Sequence, residues 1–429
     1  MVGDVNMNVN QELFSFINNS PTAFHTVAEL SHRLDAAGYQ RLYENRDWAL
    51  TPGGKYYVTR NSSSIIAFRA VDGARGFMIA ASHSDSPAFR LKASEALTGA
   101  YTRLDVEKYG GMIYYSWLDR PLSLAGRAIV RGEDGVEQKL FNIDKEIAVI
   151  PSVAIHLNRG VNDGHKFNPA KDMLPLVAMG GAKGDVTELI AKALGVKRED
   201  IVSHDVFLYN REKGREVGIN GEFILSPRLD DLECVFASLS GFLAAADAES
   251  VPVLAVFDNE EVGSETKQGA ASTFLADTLS KIAGKNYSKM LAESFMVSAD
   301  NAHAKHPNYP ELSDAENAPL LNGGIVVKWN ANQRYATDGV SAALFKTLAD
   351  RCGVKIQNYY NRADMLGGST LGSISDTVVS VPTVDIGLPQ LAMHSATETA
   401  GREDLEALIK VFIELYSTAI KVDGEKISI

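Results

Sequence analysis

The chain has few cysteines and no long apolar run. Only Cys234 and Cys352 occur in 429 residues, and each falls in or just after a predicted helix, so we expect two free thiols. No stretch reaches the roughly 18 apolar residues that cross a bilayer. The start of the chain also lacks the basic and apolar segments of a secretory signal. These absences predict a cytoplasmic protein with no membrane partner.

An excess of basic charge is missing as well. The formal net charge is -12 at pH 7, whereas nucleic-acid-binding surfaces are basic, so we predict no nucleic-acid partner. Apolar residues make up 45% and charged residues 22% of the chain, which is ordinary for a globular protein. The length exceeds that of a common single domain and predicts at least two.

Two kinds of sequence pattern divide the chain into three segments. Residues 1–92 and 224–429 alternate apolar strand-like runs with amphipathic helices. This pattern predicts an α/β fold with a mainly parallel sheet sandwiched by helices. Residues 93–223 are rich in glycine and short β-like runs, which predicts an inserted β-rich domain.

Caps and turn residues predict several element boundaries. Ser20 and Pro21 suit the N-cap and the first position of a helix. Within the insert, residues 112–115 are predicted as a strand and residues 160–172 as a loop. Residues 379–386 are predicted as a strand of the α/β part.

Side chains that bind metals follow predicted strands or start a predicted helix. In chain order they are His83, Asp85, Asp230, Glu260, Glu261, Asp300 and His394. Sites in open α/β sheets lie outside the carboxyl ends of strands, where His83, Glu261 and Asp300 are predicted. Asp230 starts a helix, whose first N–H groups favour an anion.

Two imidazoles and three carboxylates from this set match the ligands of two zinc ions. The three carboxylates carry three negative charges and two zinc ions carry four positive ones. A hydroxide formed from bound water neutralises the remaining charge. Asp85 is then predicted to hold the ring of His83 through its other N–H. Glu260, directly before a ligand, is left to act as a base.

Each fragment also has a commonplace interpretation. Asp230 alone is as easily an N-cap, and residues 300–303 form an ordinary turn. Residues 367–370 lack the spacing and lysine of a nucleotide-binding loop, so no nucleotide is predicted. The co-occurrence favours a metal hydrolase, while a phosphatase, a carboxypeptidase and an inactive shell protein stay open.

Six strings of the chain resemble one known family, that of the aspartyl aminopeptidases, which are co-catalytic zinc aminopeptidases. They match in order and spacing over nearly the whole chain. The strings are 82–87 (Ser-His-Ser-Asp-Ser-Pro), 228–231 (Arg-Leu-Asp-Asp), 258–264 (Asp-Asn-Glu-Glu-Val-Gly-Ser), 298–303 (Ser-Ala-Asp-Asn-Ala-His), 330–337 (Asn-Ala-Asn-Gln-Arg-Tyr-Ala-Thr) and 392–395 (Ala-Met-His-Ser).

The resemblance implies a zinc metalloaminopeptidase that removes N-terminal amino acids, Asp or Glu, from peptides. It implies one zinc ion on His83 and Asp300, a second on Glu261 and His394, and Asp230 bridging both. Cobalt or manganese can replace zinc on such ligands. The inserted domain is implied to serve dimerisation, and the family assembles as a dodecamer, so a homo-oligomer is expected.

Further roles carry over to single residues. Glu260 matches the general base, and His303 and Lys328 match substrate-contacting positions. His156 matches a histidine that reaches the active site of a neighbouring subunit. Asp231 departs from the family pattern, which has Asn there, and a second carboxylate can bind metal or raise the pKa of its neighbour.

Overall fold

The computed structural model describes residues 8–180, 185–365 and 367–429. The first residues, which bear on the secretory prediction, lie outside these ranges. The α-helices of the described residues are α1 (Val9–Asn19), α2 (Ala23–Ala36), α3 (Pro169–Asp172), α4 (Val186–Leu194), α5 (Leu229–Ala244), α6 (Phe274–Ala283), α7 (Tyr287–Ala292), α8 (Gly339–Arg351), α9 (Leu371–Ser375) and α10 (Asp404–Tyr416).

The strands, in chain order over the same ranges, are β1 (Gln40–Leu42), β2 (Lys55–Arg60), β3 (Ser64–Arg69), β4 (Phe77–His83), β5 (Ala88–Thr98), β6 (Tyr101–Tyr109), β7 (Leu122–Arg131), β8 (Val136–Asn142), β9 (Leu176–Met179), β10 (Ile201–Asn210), β11 (Arg215–Val217), β12 (Phe223–Ser226), β13 (Val251–Phe257), β14 (Phe295–Ala299), β15 (Ala302–His303), β16 (Ile325–Trp329), β17 (Ile356–Tyr360), β18 (Thr383–Gly387), β19 (Pro389–Leu391), β20 (Glu398–Gly401), β21 (Lys421–Asp423) and β22 (Lys426–Ser428).

The chain forms two compact units. Of the described residues, unit 1 comprises those up to Asp85, Gly214–Met393 and Glu398–Ile429, and unit 2 comprises those of Ser86–Lys213 and His394–Thr397. The domain division predicted from composition, 1–92, 93–223 and 224–429, stays a prediction, because compact packing alone does not establish an independently folding domain.

Unit 1 is built on a nine-stranded sheet with the order β1-β2-β3-β13-β4-β14-β18-β16-β17. Strands β13, β4, β14 and β18 run parallel to one another at its centre. Antiparallel pairs join this centre to β3 on one side and to β16 on the other. The α/β fold with a mainly parallel sheet is confirmed.

Alternation along the central strands explains the layers of unit 1. On β4, Met78 and Ala80 pack with buried residues of α1, α2, α5, α8 and α10. Phe77, Ile79 and Ala81 pack with buried residues of α6, α7 and α9. Because successive side chains of a strand point to opposite faces, both faces are covered by helices, and every residue of β4 is buried.

Two other sheets complete the architecture. Unit 2 contains an antiparallel six-stranded sheet with the order β8-β7-β10-β5-β6-β9, over a core of its own. Unit 1 also contains a five-stranded sheet with the order β11-β12-β20-β19-β15. In that sheet, β20 pairs with both β12 and β19, so the segment after residue 397 is held by backbone hydrogen bonds.

The predicted start of the second helix was wrong. Helix α2 begins at Ala23, and its N-cap is Thr22. Ser20 instead closes α1, since its N–H donates to the carbonyl oxygen of Ile17 at 3.1 Å. A serine in front of Pro21 therefore marks the end of one helix rather than the beginning of the next.

Three other boundaries also differ from the prediction. The run at 112–115 is not a strand, because Tyr114–Trp117 forms a 3-10 turn. The second half of the run at 379–386 lies in β18, whereas its first residue, Val379, still closes the turn after α9. The predicted loop at 160–172 ends in α3, where Asn168 caps the helix from its N-terminal side.

The structure bears on two sequence predictions, those on the cysteines and on membrane-spanning helices. Cys234 and Cys352 are both free thiols, the first buried and the second partly exposed. Among the helices of the described ranges, none combines the length and apolar character that crossing a membrane requires.

Candidate metal centre

The predicted ligands of unit 1 meet at one edge of the central sheet. His83 is the last residue of β4, Asp300 follows β14, and Glu260 and Glu261 follow β13 closely. These three strands are adjacent and parallel, so their carboxyl ends lie side by side. The sheet order thus brings together side chains that are far apart in sequence, as expected for an open α/β sheet.

Potential ligand atoms cluster tightly at this edge. Within each group, one ligand atom per residue lies within 4.8 Å of the others. The groups inside unit 1 are His83 with Glu260 and Asp300, His83 with Asp230 and Asp231, and the pair Asp230 and Glu261. Asp230 is therefore close to both His83 and Glu261.

Asp230 occupies an irregular start of α5. The backbone of Asp230 (φ -81°, ψ 108°) and Asp231 is not helical, and the peptide bond between them is cis. The prediction that Asp230 simply starts a helix is corrected accordingly. The N–H of Asp230 donates to the Glu398 carboxylate at 3.0 Å, which fixes the backbone where the side chain enters the site.

Asp85 connects two of the ligand-bearing segments. Its carbonyl oxygen lies 3.0 Å and its carboxylate 3.4 Å from Nδ1 of His83. Its two carboxylate oxygens accept the N–H groups of Glu260 at 3.1 Å and Glu261 at 3.2 Å. One buried carboxylate thus orients the imidazole and also anchors the turn that carries both glutamates.

Acidic side chains outnumber basic ones at this edge. Asp230, Asp231 and Asp300 are all less than a tenth exposed. Burial raises the pKa of Asp231 and of Asp300, because it removes the water that stabilises a charged carboxylate. Since buried carboxylates need cationic partners, the donor set fits divalent metal ions.

Asp231 has a second role beside its charge. Its Oδ2 accepts the backbone N–H of His83 at 3.1 Å, so one of its oxygens is already engaged in holding the end of β4. The carboxylate follows Asp230 directly and lies on the buried side of the cluster, with no exposed surface.

Glu260 has the environment of an acid-base group. It begins the 3-10 turn Glu260–Val262, whose position is fixed by Asp85. Burial raises the pKa of Glu260 to about 8, with His83 opposing the rise and the nearby carboxylates supporting it. A carboxyl group with a pKa near neutrality can exchange protons in both directions at physiological pH.

Lys328 is buried on β16 beside the same cluster. Its side chain is 4% exposed, and Nζ lies 3.4 Å from Oδ1 of Asp300. Although burial opposes the change, the surrounding acidic groups, Asp300 first, raise the pKa of Lys328. The residue therefore places an ammonium group next to a predicted ligand.

The three remaining predicted histidines occupy different places. His303 is exposed on β15, with its ring 6.0 Å from the ring of Tyr359. His156 is exposed in a turn of unit 2. His394 belongs to the short part of unit 2 that follows β19. Their functional roles stay predictions.

Sequence reasoning missed two buried residues that organise this edge. Asn301 donates to the carbonyl oxygen of Leu229 and to the side chain of Gln390, both at 3.1 Å, and so ties the start of α5 to β14. Asp385 accepts the N–H of Ala336 at 2.6 Å and a hydroxyl bond at 2.8 Å. The signal for Asp385 was available, since a carboxylate interrupts an apolar strand.

Comparison with known proteins agrees with this geometry. The family model described as aminopeptidase I zinc metalloprotease (M18) matches residues 16–416. A probable M18 family aminopeptidase 2 of Clostridium novyi is 43% identical over 95% of this chain and 98% of its own length.

Solved structures give the same relationship. A cryo-EM structure of a complex of Ape4 and Nbr1 superimposes with a TM-score of 0.92 at 37% identity, covering 96% of this chain and 85% of that one. The mApe1 dodecamer of S. cerevisiae superimposes with a TM-score of 0.84 at 27% identity, covering 95% and 96%. The chain belongs to the M18 family of zinc metalloproteases and is an aminopeptidase of that family.

Proposed function

We propose that the protein removes N-terminal aspartate or glutamate from peptides, using two zinc ions and Glu260 as the general base. The observation that carries the proposal is the convergence of four predicted ligands. His83, Glu261 and Asp300 come from the adjacent ends of β4, β13 and β14, and Asp230 comes from the start of α5. Zinc on such ligands supplies a Lewis acid that polarises a carbonyl group and lowers the pKa of water.

The proposed ligand allocation gives one zinc ion to His83 and Asp300 and the other to Glu261 and His394, with Asp230 shared. The closeness of Asp230 to both His83 and Glu261 supports a shared carboxylate. Chain connectivity supports His394, because it is bonded directly to Met393 of unit 1, the same unit as the other ligands.

In this proposal Asp231 positions a ligand rather than binding metal. Its engagement with the backbone of His83 supports this assignment. Asp85 positions the imidazole of His83, as such carboxylates do in many metal sites. The choice between zinc, cobalt and manganese rests on the zinc of the family model, since these ligands suit all three ions.

Glu260 performs the proton transfers of the proposed reaction. It takes a proton from the water that attacks the scissile carbonyl carbon. It then gives that proton to the departing amine, so the carboxylate is regenerated in each turnover. The anchoring of the Glu260 turn by Asp85 supports both steps, because it holds the carboxylate in one place.

Replacing Glu260 by Gln tests this role. Because the amide cannot accept the proton, kcat is expected to fall by about 10²- to 10⁴-fold while the zinc content stays the same. Steady-state kinetics and elemental analysis of the same preparation give both values. Glu265→Gln, which alters an exposed glutamate of the following loop, is the matched control. Near-normal turnover of Glu260→Gln would remove the assignment of the base.

Lys328 is the cation that we propose to face an acidic first side chain. An ammonium has three donors, and its contact with Asp300 leaves others for a substrate carboxylate. We expect Asp- and Glu-anilides to be cleaved faster than Leu-anilide, and Lys328→Met to remove this difference. If Lys328 only supports Asp300, the variant lowers the rate for all three substrates by the same factor.

The remaining proposals concern contacts between subunits and with the substrate. We place His303 at the substrate, and His156 at the active site of a neighbouring subunit within a homo-oligomer. The yeast relative forms a dodecamer, and we extend that assembly to this chain. A cytoplasmic location completes the proposal. Light scattering of the purified protein tests the assembly, and a monomeric mass under all conditions excludes it.

A further inference from the structure

The segment His394–Thr397, here called the return segment, is short but belongs to unit 2. The chain on both sides of it, Met393 and Glu398, belongs to unit 1. The return segment carries His394, one of the two histidines in the proposed ligand set. Contacts that hold the return segment in place therefore also hold a proposed zinc ligand in place.

Hydrogen bonds within unit 2 fix the backbone of the return segment. The N–H of Ile113 donates to the carbonyl oxygen of His394 at 3.0 Å. Ala396 is held on both sides, because its N–H donates to Oγ of Ser116 at 2.9 Å and its carbonyl oxygen accepts Nδ2 of Asn210 at 2.9 Å. Three backbone groups within three residues are thus bonded to unit 2.

A second layer of side chains holds these partners in place. Nδ2 of Asn210 also donates to Oγ1 of Thr397 at 3.0 Å, and Oγ1 donates onward to the Glu212 carboxylate at 3.1 Å. Arg120 donates to the same carboxylate oxygen at 2.5 Å. Asn210 is 2% exposed at the end of β10, so the network is anchored in the sheet of unit 2.

The backbone of His394 itself needs such support. Its φ is 65°, in the left-handed region that non-glycine residues rarely adopt. A residue keeps this conformation only where its surroundings over-determine it. The bonds to Ile113, Ser116 and Asn210 supply that constraint on the residue and its neighbours.

We propose that Ser116 and Asn210 are positioning residues for the zinc centre, and that they set zinc affinity by holding the backbone that carries His394. This inference rests on the proposed function, since it takes His394 as a ligand. Neither residue touches substrate or metal in the proposal. They act through the backbone of the return segment, so their loss lowers the affinity for the zinc ion that His394 binds.

Zinc titration of a set of variants tests the proposal. Metal-free full-length protein is titrated with Zn²⁺ against a chromogenic chelator, and thermal unfolding is recorded in parallel. We expect Ser116→Ala and Asn210→Ala to lower the affinity for one of the two zinc ions by about 10- to 100-fold. Loss of a residue that holds a metal ligand in place has effects of this size in other metal sites. His394→Ala is expected to abolish binding of the same ion.

Ser123→Ala is the matched control. Ser123 is another buried serine of unit 2, and its Oγ accepts the N–H of Lys145 at 3.3 Å, outside the return segment. This variant is expected to bind both zinc ions as the unaltered protein does. If Ser116→Ala retains the unaltered affinity for both ions, the proposal is overturned. Ser116→Ala also decides the matter if Asn210→Ala does not fold.

The His394→Ala variant distinguishes the ligand role of His394 from the positioning role of Ser116 and Asn210. If His394→Ala keeps both zinc ions at full affinity, the ligand set of the proposed function fails. If it loses one ion while Ser116→Ala and Asn210→Ala lose none, only the positioning role fails. Adding Asn210→Ala to His394→Ala should cause no further loss of affinity, because the two residues act through one ligand.

Discussion

At the scale of single residues, Asp85 shows how one side chain can serve two ends of a site. Its carboxylate accepts both N–H groups of the glutamate turn, while its own backbone faces the imidazole of His83. Moving Asp85 would therefore disturb a ligand and the proposed base together.

We predict that Asp85→Asn lowers kcat/KM by about 10- to 100-fold, because an amide offers one acceptor oxygen where two N–H groups need partners. Asp314→Asn is the control, since Asp314 also accepts two backbone N–H groups, from Glu316 and Asn317, but in an exposed loop. Equal activity of the two variants would contradict a role for Asp85 in the site.

The residue scale also shows where sequence reasoning stops. Metal-binding side chains next to predicted strands and helices supplied the candidate ligands, and the resemblance supplied their allocation to two ions. Of these candidates, His83, Asp230, Glu261 and Asp300 do lie together. The bonds from Asp85 to the glutamate turn could not be predicted, because they depend on β13 lying next to β4. That adjacency is a property of the sheet order, which no local pattern of apolar residues contains.

At the scale of elements, α5 and α10 pack closely because Gly241 has no side chain. A Cβ atom there would lie 2.5 Å from Cβ of Phe412 and 3.0 Å from its carbonyl carbon. Both helices contribute buried residues to the larger core of unit 1. The start of α5 carries Asp230, so this contact also supports the helix that presents a proposed ligand.

Gly241→Ala is expected to lower the thermal unfolding midpoint, because overpacking of a well-packed core typically costs about 1–3 kcal/mol. The gain in helix propensity, about 1 kcal/mol, opposes this loss without removing it. Gly339→Ala is the control on α8, where no heavy atom of the described chain lies within 4 Å of the added carbon. An unchanged midpoint for Gly241→Ala would show that α5 and α10 can move apart to accommodate the added carbon without loss of stability.

Elements differ in how readily the sequence predicts them. The buried strands β4, β13 and β14 were predicted because strands covered on both faces are continuous apolar runs. Residues 112–115 were predicted as a strand, since tyrosine favours strands, but Tyr114–Trp117 forms a 3-10 turn. There a side-chain bond from Ser116 to the carbonyl oxygen of Ile113, at 2.6 Å, closes the turn instead.

At the scale of the whole molecule, unit 2 presents exposed apolar side chains in one turn region. Val153 is 61%, Ile155 48% and Leu157 83% exposed. Exposed apolar residues that occur together mark association surfaces more often than isolated ones do. His156 lies among them, so association through this region would also bring that imidazole to another subunit, as proposed.

Leu157→Asp is therefore expected to shift the mass measured by light scattering towards smaller species, because a buried unpaired carboxylate opposes association. Val136→Asp is the control, since Val136 is 63% exposed on β8 of the same unit but outside this turn region. If His156 serves a neighbouring subunit, the activity per chain falls with the mass, and it recovers at protein concentrations that restore the assembly. A smaller assembly with full activity would support the association surface but exclude the role of His156. An unchanged mass for Leu157→Asp would exclude the association surface itself.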